Sequence, residues 1–166
     1  DGNPKKIIQD GKSINNNSLE LIHQIKNLSQ GSYLHEIANS STIDMCIGIG
    51  CYPEKHAFSN DFDQEIDLLK QKIAAGASYA VTQMFFDNDK YFAFVDRCRK
   101  ENITIPIIPG IKILDKPRQI DILPKIFDIK LPDELRNEAV ENIEHIQEVG
   151  TRWAIKQSEE LINAGV

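Results

Sequence analysis

The sequence predicts an α/β protein built on a parallel β-sheet. Three short apolar segments rich in β-branched residues alternate with amphipathic segments of helical period, which is the order expected of βαβ units. The predicted strands are Met45–Cys51, Tyr79–Phe85 and Ile103–Ile108. A sheet of three parallel strands would leave open edges, which natural proteins normally pair or cover. We therefore expect further strands from sequence outside this segment or from another chain.

The composition favours a single enzyme domain over residues 1–166 in the cytoplasm. Hydrophobic residues make up 41% of the 166 residues, and no apolar run approaches the roughly 20 residues that a membrane helix needs. The net charge of -6 and the lack of a long basic block argue against nucleic acid or an anionic membrane as a partner. Three cysteines without Cys-x-x-Cys spacing predict buried thiols in a reducing compartment and no metal site.

The first half of the chain contains a loop, a helix, the first strand and a second helix. Gly, Asn, Lys and Pro favour a loop over Asp1–Asn17, and Ser18 is a candidate N-cap for a helix that ends between Asn27 and Gly31. The first strand contains two glycines and is expected to be buried on both faces. Asp63 is a candidate cap for a helix over Gln64–Ala75, with Gly76 as its stop signal.

The second half continues the alternation and then becomes helical. Asp87-Asn88-Asp89 is expected to cap a helix over Lys90–Lys100 with an apolar stripe, and Pro117 to open a helix that ends near Phe127. A longer helical region is predicted from Leu131 to Gln147, and Gly150 either breaks it or lies inside it. The last predicted helix spans Thr151–Asn163, with these candidate packing residues: Trp153, Ile155, Leu161 and Ile162.

Each predicted strand ends in residues of unusual chemistry. Ligands of parallel α/β folds bind at the carboxyl ends of strands, so these ends indicate a site. Thr82-Gln83 lies near the C-terminal end of the second strand, where buried polar side chains need partners. Two interpretations are equally favoured by the spacing. Gln83 contacts a ligand, or it caps the loop that follows.

The loop after the first strand carries an aromatic ring, a carboxylate and an imidazole in Tyr52-Pro53-Glu54-x-His56. This spacing lacks the helical geometry of zinc motifs, so we favour binding of a flat polar ligand over a metal site, with a surface turn as the alternative. Lys70 and Lys72 could join His56 around an anionic group such as a pyrophosphate. The sequence has no Rossmann, P-loop or nucleophile-elbow motif.

Taken together, four motifs closely resemble the methylenetetrahydrofolate reductase family. In chain order they are Tyr52-Pro53-Glu54-x-His56, Asp67-Leu68-Leu69-Lys70-x-Lys72-x-x-Ala75-Gly76-Ala77, Thr82-Gln83-x-Phe85-Phe86-Asp87 and Ile107-Ile108-Pro109-Gly110-Ile111. The resemblance implies a TIM (β/α)8 barrel of the FAD-linked reductase type. It also implies non-covalent FAD, NADH or NADPH as hydride donor, and methylenetetrahydrofolate as substrate. The intact protein is expected to be a homo-oligomer.

The resemblance assigns roles to individual positions. It implies FAD contacts for Tyr52, His56, Ala57, Phe58, Ser59, Glu65 and Lys72. Glu65 stands where the family usually has Asp. Gln83 matches the residue that contacts the pterin and the nicotinamide, and Gln119 matches a second folate contact, although Lys112-Ile113-Leu114 departs from the usual sequence before it. Asp1 matches the carboxylate that tunes the reduced flavin, at the end of an Arg-Gly-Asp sequence.

On this resemblance the chain holds strands five to seven of the barrel, about half of it. We expect the other strands and the glutamate general acid to lie outside this segment, and the segment alone to have little activity. Two alternatives remain open from the residues. One is another FAD barrel, such as a proline dehydrogenase relative, and the other is a non-catalytic half-barrel that binds folate or a partner.

Overall fold

A computed structural model of the chain describes residues 15–33, 40–54 and 62–166. Three parallel strands, β1 (Gly48–Cys51), β2 (Tyr79–Thr82) and β3 (Ile107–Ile108), form one sheet in the order β1-β2-β3. The described α-helices are α1 (Ser18–Ser29), α2 (Phe62–Ala74), α3 (Asn88–Lys100), α4 (Gln119–Phe127), α5 (Asp133–Glu141) and α6 (Ile146–Asn163), with a 3-10 turn over Ile143–His145. The predicted βαβ alternation is confirmed.

The strands are shorter than predicted because of register and proline. Gly48 pairs with Tyr79, the first residue of β2, and before this pair only the bond from the Ser78 N–H to the Ile47 carbonyl, at 2.8 Å, continues the contact. In β3, Pro106 and Pro109 flank the two paired residues and lack an N–H group to extend the ladder. The backbone carbonyl of Pro106 still accepts a hydrogen bond from Ala80 at 2.9 Å.

Burial alternates along the strands, so the expectation that β1 is buried on both faces is wrong. Ile49 and Cys51 face a helix-covered core, whereas Gly48 and Gly50 are exposed. The pairing places Gly50, Val81 and Ile108 in one row on the open face. A face made of glycine and aliphatic side chains is apolar. In a closed barrel this is the face that points inward.

Helices α2 and α3 cover the same face of the sheet. Their apolar stripes join the buried strand residues in one core cluster, which includes Ile49, Cys51, Ile66, Leu69, Ala80, Tyr91, Phe94, Cys98 and Ile107. The predicted stripe of α3 is confirmed, and the Tyr91 hydroxyl also donates to the Ile107 carbonyl at 2.7 Å. Doubly wound sheets carry helices on both faces, whereas barrel strands carry them on one. The arrangement is consistent with part of a barrel.

A second core cluster lies under the helices that follow β3. It contains Phe86, Leu114, Ile120, Leu123, Ile129, Leu131, Leu135, Ala139, Ile146 and Val149. Helix α6 contributes Ile146 and Val149 to this cluster and Leu161 to the first one. Gly150 lies inside α6, where a Cβ atom would stand 2.1 Å from the Leu114 carbonyl oxygen. The glycine therefore allows α6 to contact the loop after β3.

Several predicted helix ends and packing residues need correction. Asn17, not Ser18, caps α1, because its side chain accepts from the Glu20 N–H. Asp63 lies within α2, which begins at Phe62, and Arg118 precedes α4, which begins two residues after Pro117. Asp87 does cap α3, and Gly76 ends the α2 turn with a φ of +119°.

The last helix is only partly packed as predicted. Leu161 is buried and Trp153 is half-buried, but Ile155 and Ile162 are 53% and 69% exposed. The buried stripe of α6 passes through Ala154, Gln157 and Leu161 instead. Ile155 and Ile162 lie seven residues apart, so they share one side of the helix away from that stripe.

We expect Gly150→Ala to destabilise the protein although alanine favours a helix by about 1 kcal/mol over glycine. The added methyl group would meet the Leu114 backbone, and overpacking of this kind costs about 1–3 kcal/mol. Urea unfolding measures the change. Gly50→Ala is the matched control, because nothing lies within 4 Å of its Cβ position. Equal free energies of unfolding for the two variants would contradict the close packing of α6.

Candidate functional site

The carboxyl ends of the three strands are held together by two hydrogen bonds. The Gln83 N–H donates to the Cys51 carbonyl at 2.7 Å, which extends the β1–β2 ladder by one residue. The Gly110 N–H donates to the Thr82 Oγ1 at 2.8 Å and ties the end of β2 to the loop after β3. Thr82 is 5% exposed, so its hydroxyl serves this junction and is not presented to a ligand.

Gly110 belongs to this junction for a steric reason. A Cβ atom at its position would lie 2.2 Å from the Thr82 carbonyl oxygen, far inside van der Waals contact. Only glycine allows the loop after β3 to approach β2 this closely. The Pro-Gly sequence that ends the third predicted strand therefore sets the distance between two neighbouring strand ends.

Gln83 stands immediately beyond the end of β2. Its side-chain carbonyl accepts from the Met84 N–H at 3.0 Å, so it does brace the following loop, as one of the two interpretations predicts. This bond fixes which end of the amide faces the loop. Within the described ranges the Gln83 NH2 group has no hydrogen-bond partner. That group is a donor that can serve a ligand with a carbonyl or ring-nitrogen acceptor.

Tyr52, Glu65 and Lys72 lie together at the end of β1. They line a cavity of about 10 Å³ with Gly50, Cys51, Leu68, Leu69 and Phe94. We call Tyr52, Glu65 and Lys72 the β1-exit cluster. Burial raises the pKa of the Tyr52 phenol, and the Glu65 carboxylate raises it further. The cluster therefore combines an aromatic ring with a neutral hydroxyl, a carboxylate and an ammonium group.

Lys72 is 9% exposed, which is unusual for a lysine. It lies in the last turn of α2, and helix side chains lean toward the helix N-terminus, so its ammonium group extends toward the strand ends. Burial lowers the pKa of Lys72, and the Glu65 carboxylate partly opposes that change. A buried cation with one carboxylate near it is a ready partner for an anionic ligand.

Cys51 lines the cavity of the β1-exit cluster, whereas Cys46 and Cys98 are not among its lining residues. Burial raises the pKa of the Cys51 thiol to about 12 and that of the Cys98 thiol to about 11, so neither is a reactive thiolate at neutral pH. Cys46 is exposed, which corrects the expectation that all three thiols are buried.

Glu54 links the turn after β1 to the connection between α4 and α5. Its Oε2 accepts from the Lys130 N–H at 3.1 Å, and its buried Oε1 has no hydrogen-bond partner among the described residues. Burial raises the pKa of this carboxyl group, while the Lys130 hydrogen bond and the Lys90 charge oppose the rise. Glu54 thus has a structural partner, and ligand binding by this loop stays a prediction.

The other predicted site residues are placed differently. The Gln119 side-chain carbonyl accepts from the Asp115 and Lys116 N–H groups at 2.8 and 3.0 Å, which braces the loop before α4. Lys70 is exposed and paired with Glu101 at 2.7 Å, so it does not join Lys72 around an anion. Asp1, His56, Ala57, Phe58 and Ser59 lie outside the described residues.

Sequence reasoning missed a set of polar contacts behind Gln83. Asn88 and Gln157 are 7% and 3% exposed and bond to each other, and Trp153 donates to the Phe86 carbonyl. The available signal was a glutamine on the buried stripe of α6, between Ala154 and Leu161. A polar residue at such a position needs an explanation.

The described residues contain neither a metal-ligand cluster nor a membrane-spanning helix. No group of three or more metal-ligating side chains is present within them. None of the helices that they form is both long enough and apolar enough to cross a membrane.

The fold and the strand-end groups define an α/β protein of parallel βαβ units with a candidate binding site at the carboxyl end of its sheet. Comparison with known families gives the particular one. The family model for methylenetetrahydrofolate reductase matches residues 5–166, and the chain belongs to this family. This assignment replaces the alternative of a proline dehydrogenase relative.

Named relatives agree with the family. A protein of Schizosaccharomyces pombe, Methylenetetrahydrofolate reductase 1, is 33% identical over 126 residues, which cover 74% of this chain and 21% of the relative. A Buchnera aphidicola 5,10-methylenetetrahydrofolate reductase is 34% identical over 126 residues, which cover 74% of this chain and 43% of the relative. A Caenorhabditis elegans protein, Probable methylenetetrahydrofolate reductase (NADPH), is 30% identical over 151 residues and is covered to 22%. The chain thus spans less than half the length of these relatives.

We expect Lys72→Met to raise the free energy of unfolding at neutral pH when no ligand is bound. Replacing a buried charge by an apolar side chain of similar size is often stabilising, here by about 1 kcal/mol. Because the folded-state pKa of Lys72 is depressed, its penalty is fully present below that pKa and is relieved as pH rises toward the usual value near 10.4. The stability difference should therefore shrink in urea titrations at rising alkaline pH.

The control for this prediction is Lys70→Met on the same helix. Lys70 is exposed and forms a surface ion pair, so its loss should cost no more than about 1 kcal/mol. A Lys72→Met protein less stable than the Lys70→Met protein would show that the Lys72 ammonium group is well compensated within the chain.

Proposed function

We propose that the complete protein reduces methylenetetrahydrofolate to methyltetrahydrofolate with NADH or NADPH, and that it uses non-covalently bound FAD. Membership of the family supports methylenetetrahydrofolate reduction in general terms. The observation that carries the finer proposal is the Gln83 amide at the end of β2, next to the strand end that holds the β1-exit cluster. One substrate-binding donor and one cofactor-binding cluster would then share an edge of the sheet.

The β1-exit cluster fits FAD by its donor set. The buried Lys72 ammonium group suits the pyrophosphate, since a cation that is short of partners gains most from an anion. Glu65 can accept hydrogen bonds from ribose or ribityl hydroxyls, and the Tyr52 ring and hydroxyl can contact the cofactor on the same side. Bound flavin would accept a hydride from the nicotinamide and pass it to the folate carbon.

Within this proposal Gln83 orients both substrates. Its carbonyl is engaged by Met84, so its NH2 group is the part left to bind the pterin or the nicotinamide amide. Gln119 is proposed as a second folate contact, which requires its side chain to exchange the Asp115 and Lys116 bonds for the ligand. His56, Ala57, Phe58 and Ser59 are proposed to complete the FAD contacts. Asp1 is proposed to tune the reduced flavin.

The reaction is proposed for a protein with a complete barrel. The described sheet supplies three strand ends, and the family's general acid and further FAD contacts are expected from other strands. We propose a cytoplasmic homo-oligomer as the working form, and little turnover by residues 1–166 alone. The C. elegans relative is named for NADPH, which favours NADPH as one donor to test.

The proposed function is tested with the full-length protein purified with FAD. We expect a flavin absorbance spectrum that is bleached by NADH or NADPH and restored by methylenetetrahydrofolate. A protein that binds no FAD, or whose reduced flavin is not oxidised by the folate, would refute the proposal.

We expect Gln83→Ala to lower kcat/KM for methylenetetrahydrofolate by about 5- to 100-fold, since leaving the ligand's acceptor without its donor costs about 1–3 kcal/mol. The change also removes the brace on Met84. The FAD content should stay unchanged. Steady-state kinetics and the flavin-to-protein absorbance ratio measure the two effects. Gln147→Ala is the control, because Gln147 is an exposed glutamine on α6. A loss of FAD with unchanged folate kinetics would contradict the role of Gln83.

We expect Lys72→Met to weaken FAD binding by about 10- to 100-fold, because a hydrogen bond to a charged group contributes about 1.5–3 kcal/mol. Fluorescence titration of the apoprotein with FAD measures the dissociation constant. Lys70→Met should leave it unchanged, since Lys70 is paired with Glu101 on the surface. Equal FAD dissociation constants for the two variants would contradict a contact between Lys72 and FAD.

A further inference from the structure

The segment that carries Gln83 leaves the sheet directly after it. Phe85 and Phe86, two and three residues further on, are 0% and 1% exposed and enter different core clusters. Their carbonyl groups lie beyond the end of the β-ladder, so they need partners from elsewhere. A buried carbonyl without a partner costs about 1–3 kcal/mol.

Helix α6 supplies both partners through side chains. The Gln157 Nε2 donates to the Phe85 carbonyl at 3.2 Å, and the Trp153 Nε1 donates to the Phe86 carbonyl at 2.9 Å. The two side chains are four residues apart and therefore lie on one face of α6. Two successive carbonyls of the segment are thus held from the same helix face. We call Trp153 and Gln157 the α6 clamp.

Asn88 fixes the orientation of the clamp. Its Oδ1 accepts from Gln157 Nε2 at 3.3 Å, while its Nδ2 donates to the Gln157 backbone carbonyl at 3.1 Å and to Glu160 Oε2 at 2.8 Å. The amide of Asn88 is therefore engaged at both ends. A network of this kind specifies one arrangement of α6 against the start of α3.

We propose that Gln157 and Trp153 are positioning residues that determine where the Gln83 amide meets the substrate, an inference that rests on the proposed function. Gln83 has one side-chain bond to its own loop and one backbone bond to Cys51. The rest of its segment is fixed by the α6 clamp. Misplacement of a substrate-binding group by about 1 Å can cost as much as 100-fold in rate. The clamp acts through Gln83 and touches neither substrate nor cofactor.

The test uses the full-length protein and two variants that remove a donor, Gln157→Met at nearly unchanged volume and Trp153→Phe with a smaller aromatic ring. Gln147→Met is the control, because it makes the same chemical change at an exposed site of α6. Hydrogen–deuterium exchange of a peptide that includes residues 83–87 reports the clamp directly. We expect the exchange rate of this peptide to rise roughly tenfold in both variants and to stay unchanged in the control. Unchanged exchange in both variants would overturn the proposal.

A double-mutant cycle distinguishes positioning from general support of the fold. We expect each variant to raise the KM for methylenetetrahydrofolate by about tenfold with an unchanged FAD content. In a Gln83→Ala background the same change should have less than about a twofold effect, because the residue through which it acts is gone. Equal effects in both backgrounds would mean that the clamp acts elsewhere, and would overturn the proposal.

Failure of the proposal and failure of the proposed function give different results. A wild-type protein that does not reduce methylenetetrahydrofolate contradicts the function, and hydrogen exchange then decides alone whether the clamp holds the segment. A wild-type protein that is active, with variants whose folate KM is unchanged, contradicts the positioning role only. If Gln157→Met does not fold, Trp153→Phe carries the test, because it keeps an aromatic ring in the second core cluster.

Discussion

Satisfying the backbone groups that leave the sheet is the constraint on which the site depends. Beyond the end of a parallel strand, the next N–H and carbonyl groups need other hydrogen-bond partners. Burying them without partners costs free energy of folding. Here the Gln83 N–H donates to the Cys51 carbonyl, and the Gly110 N–H donates to the Thr82 hydroxyl. The Phe85 and Phe86 carbonyls accept from side chains of α6. The same bonds that prevent unpaired groups also fix the spacing of the strand ends.

The end of β1 differs, because it contains buried polar groups that have few partners among the described residues. Lys72 is nearly buried, and one oxygen of Glu54 is buried without a partner among the described residues. Such groups lower the stability of the free protein. An anionic ligand beside Lys72 removes part of that cost. Binding energy and folding energy are therefore linked at this end of β1.

The periodic features of the fold could be predicted from the sequence, and features that depend on distant partners could not. The apolar stripe of α3, its Asp87 cap and the Gly76 stop are local signals, and they are confirmed. The short strands follow from the register of β1 on β2, which no local pattern encodes. Ile155 and Ile162 were expected in the core because they are apolar, but the packing of α6 uses Gly150, Ala154 and Gln157.

The same distinction applies to the site. Strand ends with polar residues pointed to Gln83 and Tyr52, since the topology of parallel sheets brings such ends together. Lys72 was predicted from its charge, and only the family resemblance implied Glu65. The role of Thr82 in joining β2 to Gly110 could not be predicted, because it depends on a contact across 28 residues. The bond from Gln157 to the Phe85 carbonyl could not be predicted either, because the sequence shows only that Gln157 lies on the buried stripe of α6.

The clamp on the Gln83 segment also sets an order of events during synthesis. The bond from Gln157 to the Phe85 carbonyl joins residues 72 positions apart, so the chain must close a long loop before it can form. The sheet and helices α2 and α3 can assemble from local βαβ contacts while the chain is still emerging from the ribosome. The Phe85 and Phe86 carbonyls gain their partners only when α6 has been made, so this edge of the sheet is completed late.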